Sequence, residues 1–67
     1  MTTLSIILPT YNEKDNIIIL VNRIIKLLNN YPSKEIIIVD DSSPDNTYSL
    51  VKNKFKRKKF IKILLRK

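Results

Sequence analysis

The chain has 67 residues, enough for at most one small domain, and a domain of that size buries only roughly 60% of its unfolded surface. It contains no Cys, no His and no Gly, which excludes disulfides, Cys/His zinc sites, thiol nucleophiles, histidine bases, a Walker loop and a G-x-G-x-x-G fingerprint. The formal charge of +7 suits nucleic acid, an anionic membrane or a phosphorylated ligand, and it is unevenly spread: Lys52 to Lys67 holds nine of the thirteen basic residues and no acid.

Leu4 to Leu8 (LSIIL) reads as a first strand. Pro9 is expected to stop it, because proline cannot donate to a central ladder. Pro9 to Glu13 (PTYNE) then forms a polar turn, with Asn12 as the expected N-cap of a helix and Asp15 near the positive end of its dipole. From Lys14 to Asn29 the apolar residues fall at Ile17, Leu20, Val21, Ile24, Ile25 and Leu28, the spacing of one helix face. Asn29 and Asn30 are expected to supply the left-handed residue that ends it. The longest apolar run, Ile17 to Val21, is far short of the ~20 residues that span a bilayer. The N-terminus has no basic start of a signal peptide, so the expected location is cytoplasmic.

Glu35 to Asp40 reads as a second strand. Its core, Ile36 to Val39, is a short all-apolar run bounded by turn residues, as in a strand of a parallel sheet buried on both faces. A second helix begins between Pro44 and Thr47, with either Ser43 or Thr47 as N-cap. Tyr48, Val51 and Phe55 share one of its faces. Lys56 to Lys59 is a basic break, and Phe60 to Leu65 (FIKILL) reads as a third strand. The order is βαβαβ, an α/β fold with a three-stranded parallel sheet, order 3-2-1, built by right-handed crossovers.

Ligands of open α/β sheets bind outside the carboxyl ends of the strands, where the chain places Asp40 and Asp41. Strand alternation sends adjacent residues to opposite sides, so the two are poor candidates for a pair sharing one proton. In one reading one carboxylate faces the crevice and the other ties down the turn; in the other both cap the strand end and the next helix. An aspartate here could accept from a base N–H or from ribose hydroxyls, or bind a metal. Tyr11, just past the first strand, could stack on a flat ligand or cover the sheet edge. Glu13 could hold a ligand hydroxyl or complement the helix N-terminus. Phe55 and Phe60 interleave with the basic run, a pattern that fits core anchoring better than base stacking.

Taken together, SIILPTYNE and EIIIVDDSSPDNT resemble the N-terminal half of the nucleotide-binding domain of family 2 glycosyltransferases, within the dolichyl- and polyprenyl-phosphate sugar transferases. The resemblance spans Ser5 to Arg66. It implies a GT-A, Rossmann-like half-domain over residues 1–67. It implies a nucleotide pocket lined by Pro9, Tyr11 and Glu13, with Val39 and Asp41 on the nucleoside and Asp40 beside them. It further implies a donor of the GDP-mannose or UDP-glucose class and a polyprenyl-phosphate acceptor met at the membrane's cytoplasmic face. Mg or Mn would hold the diphosphate in the full enzyme, with no metal or catalytic residue among these 67. Asn46 stands where the family often has Gly. The family's Asp-x-Asp motif, acceptor loops and catalytic base lie beyond Lys67, so a truncated, inactive and self-associating fragment is expected. Two other classes compete. A signalling receiver domain also carries an Asp pair, but on its first strand and with a further Asp after the third. A basic nucleic-acid module would rest on Lys52 to Lys67 and leaves both motifs unexplained; no nucleic-acid partner is expected.

Overall fold

A computed structural model describes residues 4–66. The chain runs β1 (Leu4–Thr10), α1 (Lys14–Leu27), β2 (Lys34–Asp40), α2 (Thr47–Lys54) and β3 (Ile61–Leu65). The strands form one parallel sheet in the order β1-β2-β3, with β2 in the centre. Ile6 lies level with Ile36 and Ile61, and Leu8 with Ile38 and Ile63. Both helices cover this face. Ile36 and Ile38 are fully buried there against Ile17 and Val21 of α1, Val51 of α2 and Phe55 just past its end. Each such aliphatic side chain contributes about 1.5–3 kcal/mol when buried.

The other face holds the alternate residues. Ile7 lies level with Ile37 and Lys62, and Pro9 with Val39 and Leu64. No described helix covers it, and Ile7 and Leu64 are 64% and 54% exposed. The helix placement expected from two like-handed crossovers is therefore the one observed, with an apolar face left open.

Pro9 does not end β1; the strand continues to Thr10. Leu4 donates its N–H to Ser33 and Thr10 accepts from Asp41, so the even-numbered residues of β1 aim their backbone groups at β2. Pro9 aims at the free edge, where a missing N–H costs no ladder bond. The stripe of α1 is narrower than its spacing suggests. Ile17, Val21 and Leu28 are buried, but Leu20 is 45% exposed because it overhangs the open edge of β1.

The helix ends also differ from expectation. Glu13, not Asn12, occupies the N-cap position of α1, and Asn12 is left-handed with φ 57°. At the other end neither Asn29 nor Asn30 is left-handed. The Lys34 ammonium donates instead to the carbonyls of Leu28 and Tyr31, both at 3.2 Å, a cationic alternative to a glycine-type cap. Neither Ser43 nor Thr47 caps α2. Asn46 is its N-cap residue, left-handed with φ 66°, and the capping oxygens come from Asp45. Asp45 accepts from the backbone N–H of Thr47 at 3.1 Å, from the Thr47 hydroxyl, and from the N–H of Lys14, the first residue of α1, at 3.1 Å. One carboxylate thus serves the start of both helices.

Those bonds hold the Asp45 carboxyl below its ordinary value of 3.8, the Thr47 hydroxyl first and the Lys14 and Thr47 amides after it. A depressed folded-state value stabilises the fold above the unfolded value and loses that effect as pH falls through the folded one. Asp45→Asn is therefore expected to lower the melting temperature by several degrees near neutral pH, with the gap to the parent chain closing below about pH 4. Melts of both chains across that range check it; a gap that persists in acid contradicts the bridge.

An open apolar sheet face is an association surface. The 67-residue chain is expected to self-associate and to bind the dye ANS. Sedimentation showing a monodisperse monomer, with a sharp melt and no dye binding, would contradict this packing.

Candidate functional site

Two loops meet at the carboxyl ends of the strands: residues 11–13 between β1 and α1, and residues 41–46 between β2 and α2. The parallel register sets them side by side, because Pro9 is level with Val39 and Thr10 with Asp40. The ladder runs one step further, with Asp41 N–H donating to Thr10 at 3.0 Å and Arg66 N–H to Asp40 at 2.7 Å. Beyond it the loops bond directly. Asn12 N–H donates to Ser43 Oγ at 2.8 Å, and Lys14 N–H donates to Asp45 Oδ2.

The two aspartates part as strand alternation requires. Asp40 is fully buried. It accepts from Thr10 Oγ1 at 3.2 Å, from the N–H of Ser43 at 3.1 Å and from the Ser43 hydroxyl. Its carboxylate is spent on the turn that follows β2. A buried charge persists only with such partners, so Asp40 is a support for the site. Asp41 has a side chain 61% exposed, and its one ion pair, to Arg66 Nε, is 3.9 Å long and open to water. Surface pairs of this kind contribute little, so Asp41 remains able to accept a bond from a ligand.

Tyr11 is 58% exposed, and Glu13 is exposed with a 3.4 Å bond from Asn16 Nδ2. Neither is packed away. Pro9 and Glu13 share a hollow of about 270 Å³ at the β1 edge with Thr10 and Leu20. Asp40 lines a separate one of about 530 Å³ with Ser42, Ser43, Asn46, Tyr48 and Leu65. Val39, half-buried, joins Pro9 on the open face. The six residues named from the sequence thus lie at one end of the sheet, with Pro9 and Glu13 on one hollow, Asp40 on the other, and Tyr11 and Asp41 exposed to water.

Among the described residues three have left-handed φ: Asn12, Ser42 and Asn46. All lie in these two loops. A left-handed non-glycine residue costs roughly 1–2 kcal/mol, and with no Gly in the chain the cost falls on Asn and Ser. Ser42 is held by its hydroxyl, which donates to the Arg66 carbonyl at 2.7 Å. Backbone strain of this kind concentrates where a ligand is bound or a loop is held for one.

Ser43, Asp45 and Thr10 are the site residues that sequence reading missed. The signal for Asp45 was present: Asp-x-Thr is an Asx turn, in which the carboxylate bonds the backbone two residues on. Its second partner, Lys14, is 31 residues away and carries no local signal. Among the described residues no group of three Asp, Glu, His or Cys side chains could hold a metal ion. The described carboxylates therefore do not fit a Mg or Mn site.

The family model described as Glycosyl transferase family 2 matches residues 5–67. A dolichol-phosphate mannosyltransferase of Pyrococcus furiosus is 50% identical over 46 residues, which is 66% of this chain and 12% of that protein. A polyprenol monophosphomannose synthase of Mycolicibacterium smegmatis is 42% identical over 45 residues, 67% of this chain and 16% of that protein. The match thus spans less than a fifth of either relative's length. No solved structure matches the chain. With 63 of its residues inside the family's boundaries (5 to 67 inclusive), the chain belongs to glycosyl transferase family 2.

Proposed function

We propose that this chain is the nucleoside-gripping part of a glycosyltransferase that moves a sugar from a nucleotide donor to a polyprenyl phosphate. The observation that carries the reading is the pinning of the Tyr11–Glu13 loop to the Asp41–Asn46 loop by the Asn12–Ser43 and Lys14–Asp45 bonds. That pinning keeps the exposed Tyr11 ring, the exposed Glu13 carboxylate and the exposed Asp41 on two adjoining loops at one end of the sheet. The donor class is GDP-mannose or UDP-glucose; the names of the two relatives, which refer to mannose and to dolichol or polyprenol phosphates, favour the former.

The chemistry suits the neutral end of such a donor. Asp41 and Glu13 are acceptors, matched to base N–H and ribose hydroxyl donors. Tyr11 offers a face for stacking. Pro9 and Val39 give an apolar row beside them. The diphosphate is another matter. Five of the six acidic residues (Glu13, Asp15, Asp40, Asp41 and Asp45) lie at or beside this end of the sheet, and they repel it. In this reading residues 1–67 are the N-terminal portion of the nucleotide-sugar domain, and Mg or Mn is held by residues of a longer protein. A receiver-type phosphoacceptor site fits less well, since β3 runs out through Leu64, Leu65 and Arg66 with no Asp.

Asp41→Ala is expected to weaken nucleotide binding roughly tenfold or more, the worth of one charge-assisted hydrogen bond. Asp40→Ala is expected to act on folding. Calorimetry with GDP and UDP checks both, and unchanged affinity in the Asp41 variant counts against the assigned crevice. The 67 residues contain no Asp-x-Asp, and metal neutralisation of the leaving diphosphate is a main electrostatic aid in this chemistry. The purified chain supplied with Mg or Mn is expected to turn over no donor, and measurable turnover would overturn this division of labour.

A further inference from the structure

Five of the nine basic residues from Lys52 onward line a groove that the nucleotide reading does not use. It runs along the outer edge of β3, with a volume of about 460 Å³. Its floor is apolar: Val51 of α2, Phe55 just past that helix, and Ile61, Ile63 and Leu64 of β3. Its rim is Lys52, Lys56, Lys58, Lys59 and Lys62. Beyond Lys58 a second hollow of about 480 Å³ opens along α1, lined by Ile19, Ile25, Arg23 and Lys26. The carboxylate that meets the rim is Glu35, 3.1 Å from Lys62. Lys52 and Lys54 lie in the last turn of α2 and complement its dipole. That role does not extend to Lys56, Lys58 and Lys59, which lie beyond the helix in an exposed loop.

We propose that this groove docks the protein on an anionic lipid bilayer. An apolar trough edged by ammonium groups matches a headgroup phosphate above and its glycerol and upper acyl chain below. Lysine stems can lie along apolar surface while the charges reach outward. Single-stranded nucleic acid is the other polyanion of this charge, but it is gripped by exposed aromatic platforms. The aromatic that lines the groove, Phe55, is buried in the core and offers no such platform. Docking by this edge lays the strands along the bilayer. The docking itself does not rest on the nucleotide reading.

Flotation of the 67-residue chain with vesicles tests it. The chain is expected to float with phosphatidylglycerol–phosphatidylcholine vesicles at low salt, to dissociate at high salt, and to ignore pure phosphatidylcholine. Reversing Lys58 and Lys59 together (K58E/K59E) is expected to weaken binding at least about 25-fold, roughly fivefold per lysine. Reversing Lys14 and Arg66 (K14E/R66E) changes the net charge by the same amount at the far end of the strands. With the two variants compared at about 0.1 M salt, that end is about 20 Å away, some two Debye lengths, and the loss there is expected to stay below about fivefold. All four side chains are exposed, and circular dichroism confirms the fold of each variant. Equal losses in the two variants would reduce the effect to net charge and overturn the proposal. So would binding to phosphatidylcholine alone, no flotation at low salt, or tighter binding to an RNA or DNA oligonucleotide than to the anionic vesicles.

Discussion

The arrangement depends on the Asp45 carboxylate. One of its oxygens bonds the amide and hydroxyl of Thr47, and the other reaches across 31 residues to the amide of Lys14. Those amides belong to the first residues of α1 and α2, where helices leave backbone donors unsatisfied and carry partial positive charge. A single anion between two such termini satisfies both and fixes their separation. Asp40 does the same one layer deeper, through Thr10 of β1 and Ser43 of its own loop. Together they make one rigid rim from two loops, and that rim carries Tyr11, Glu13 and Asp41 outward.

The division between the two adjacent aspartates follows from the pleat. Asp40 points to the helix side, where burial obliges it to collect hydrogen-bond donors. Asp41 points to the open side, where water and a loose contact with Arg66 leave it available. A ligand at the crevice would find its acceptors on the outer side and its structural support on the inner side. The same alternation sends Ile7, Ile37, Val39 and Leu64 to a face that no described helix covers. The segment is thus well organised at the carboxyl ends of its strands and under-covered on one flank.

Much of this was legible in the sequence because the signals are local. The all-apolar run from Ile36 to Val39 marks the central strand β2 and places the two aspartates at its carboxyl end. The 3.6-residue spacing from Ile17 to Leu28 marks α1. The failures share a cause. Pro9 ends a central strand but not an edge strand, and edge position is a property of the sheet. Leu20 lies on the apolar stripe, yet it overhangs that same edge and stays exposed. Asn12, Asn29 and Ser43 read as caps from their own chemistry, whereas the groups that act belong to other residues: Lys34 a few positions on for α1's end, Asp45 by a local turn for α2, and Asp45 across 31 residues for the start of α1. The charge run from Lys52 onward gave its count in the sequence, but the groove it edges exists only once β3 lies beside α2.

The central claim is that the two loops act as one nucleoside-binding rim. Hydrogen–deuterium exchange of the chain with and without saturating GDP or UDP tests it most directly. The account predicts that nucleotide slows exchange in residues 9–16 and 39–47 together, and leaves residues 52–62 unchanged. Protection confined to one loop, protection centred on the lysine-rimmed groove, or no change at saturating nucleotide would contradict it.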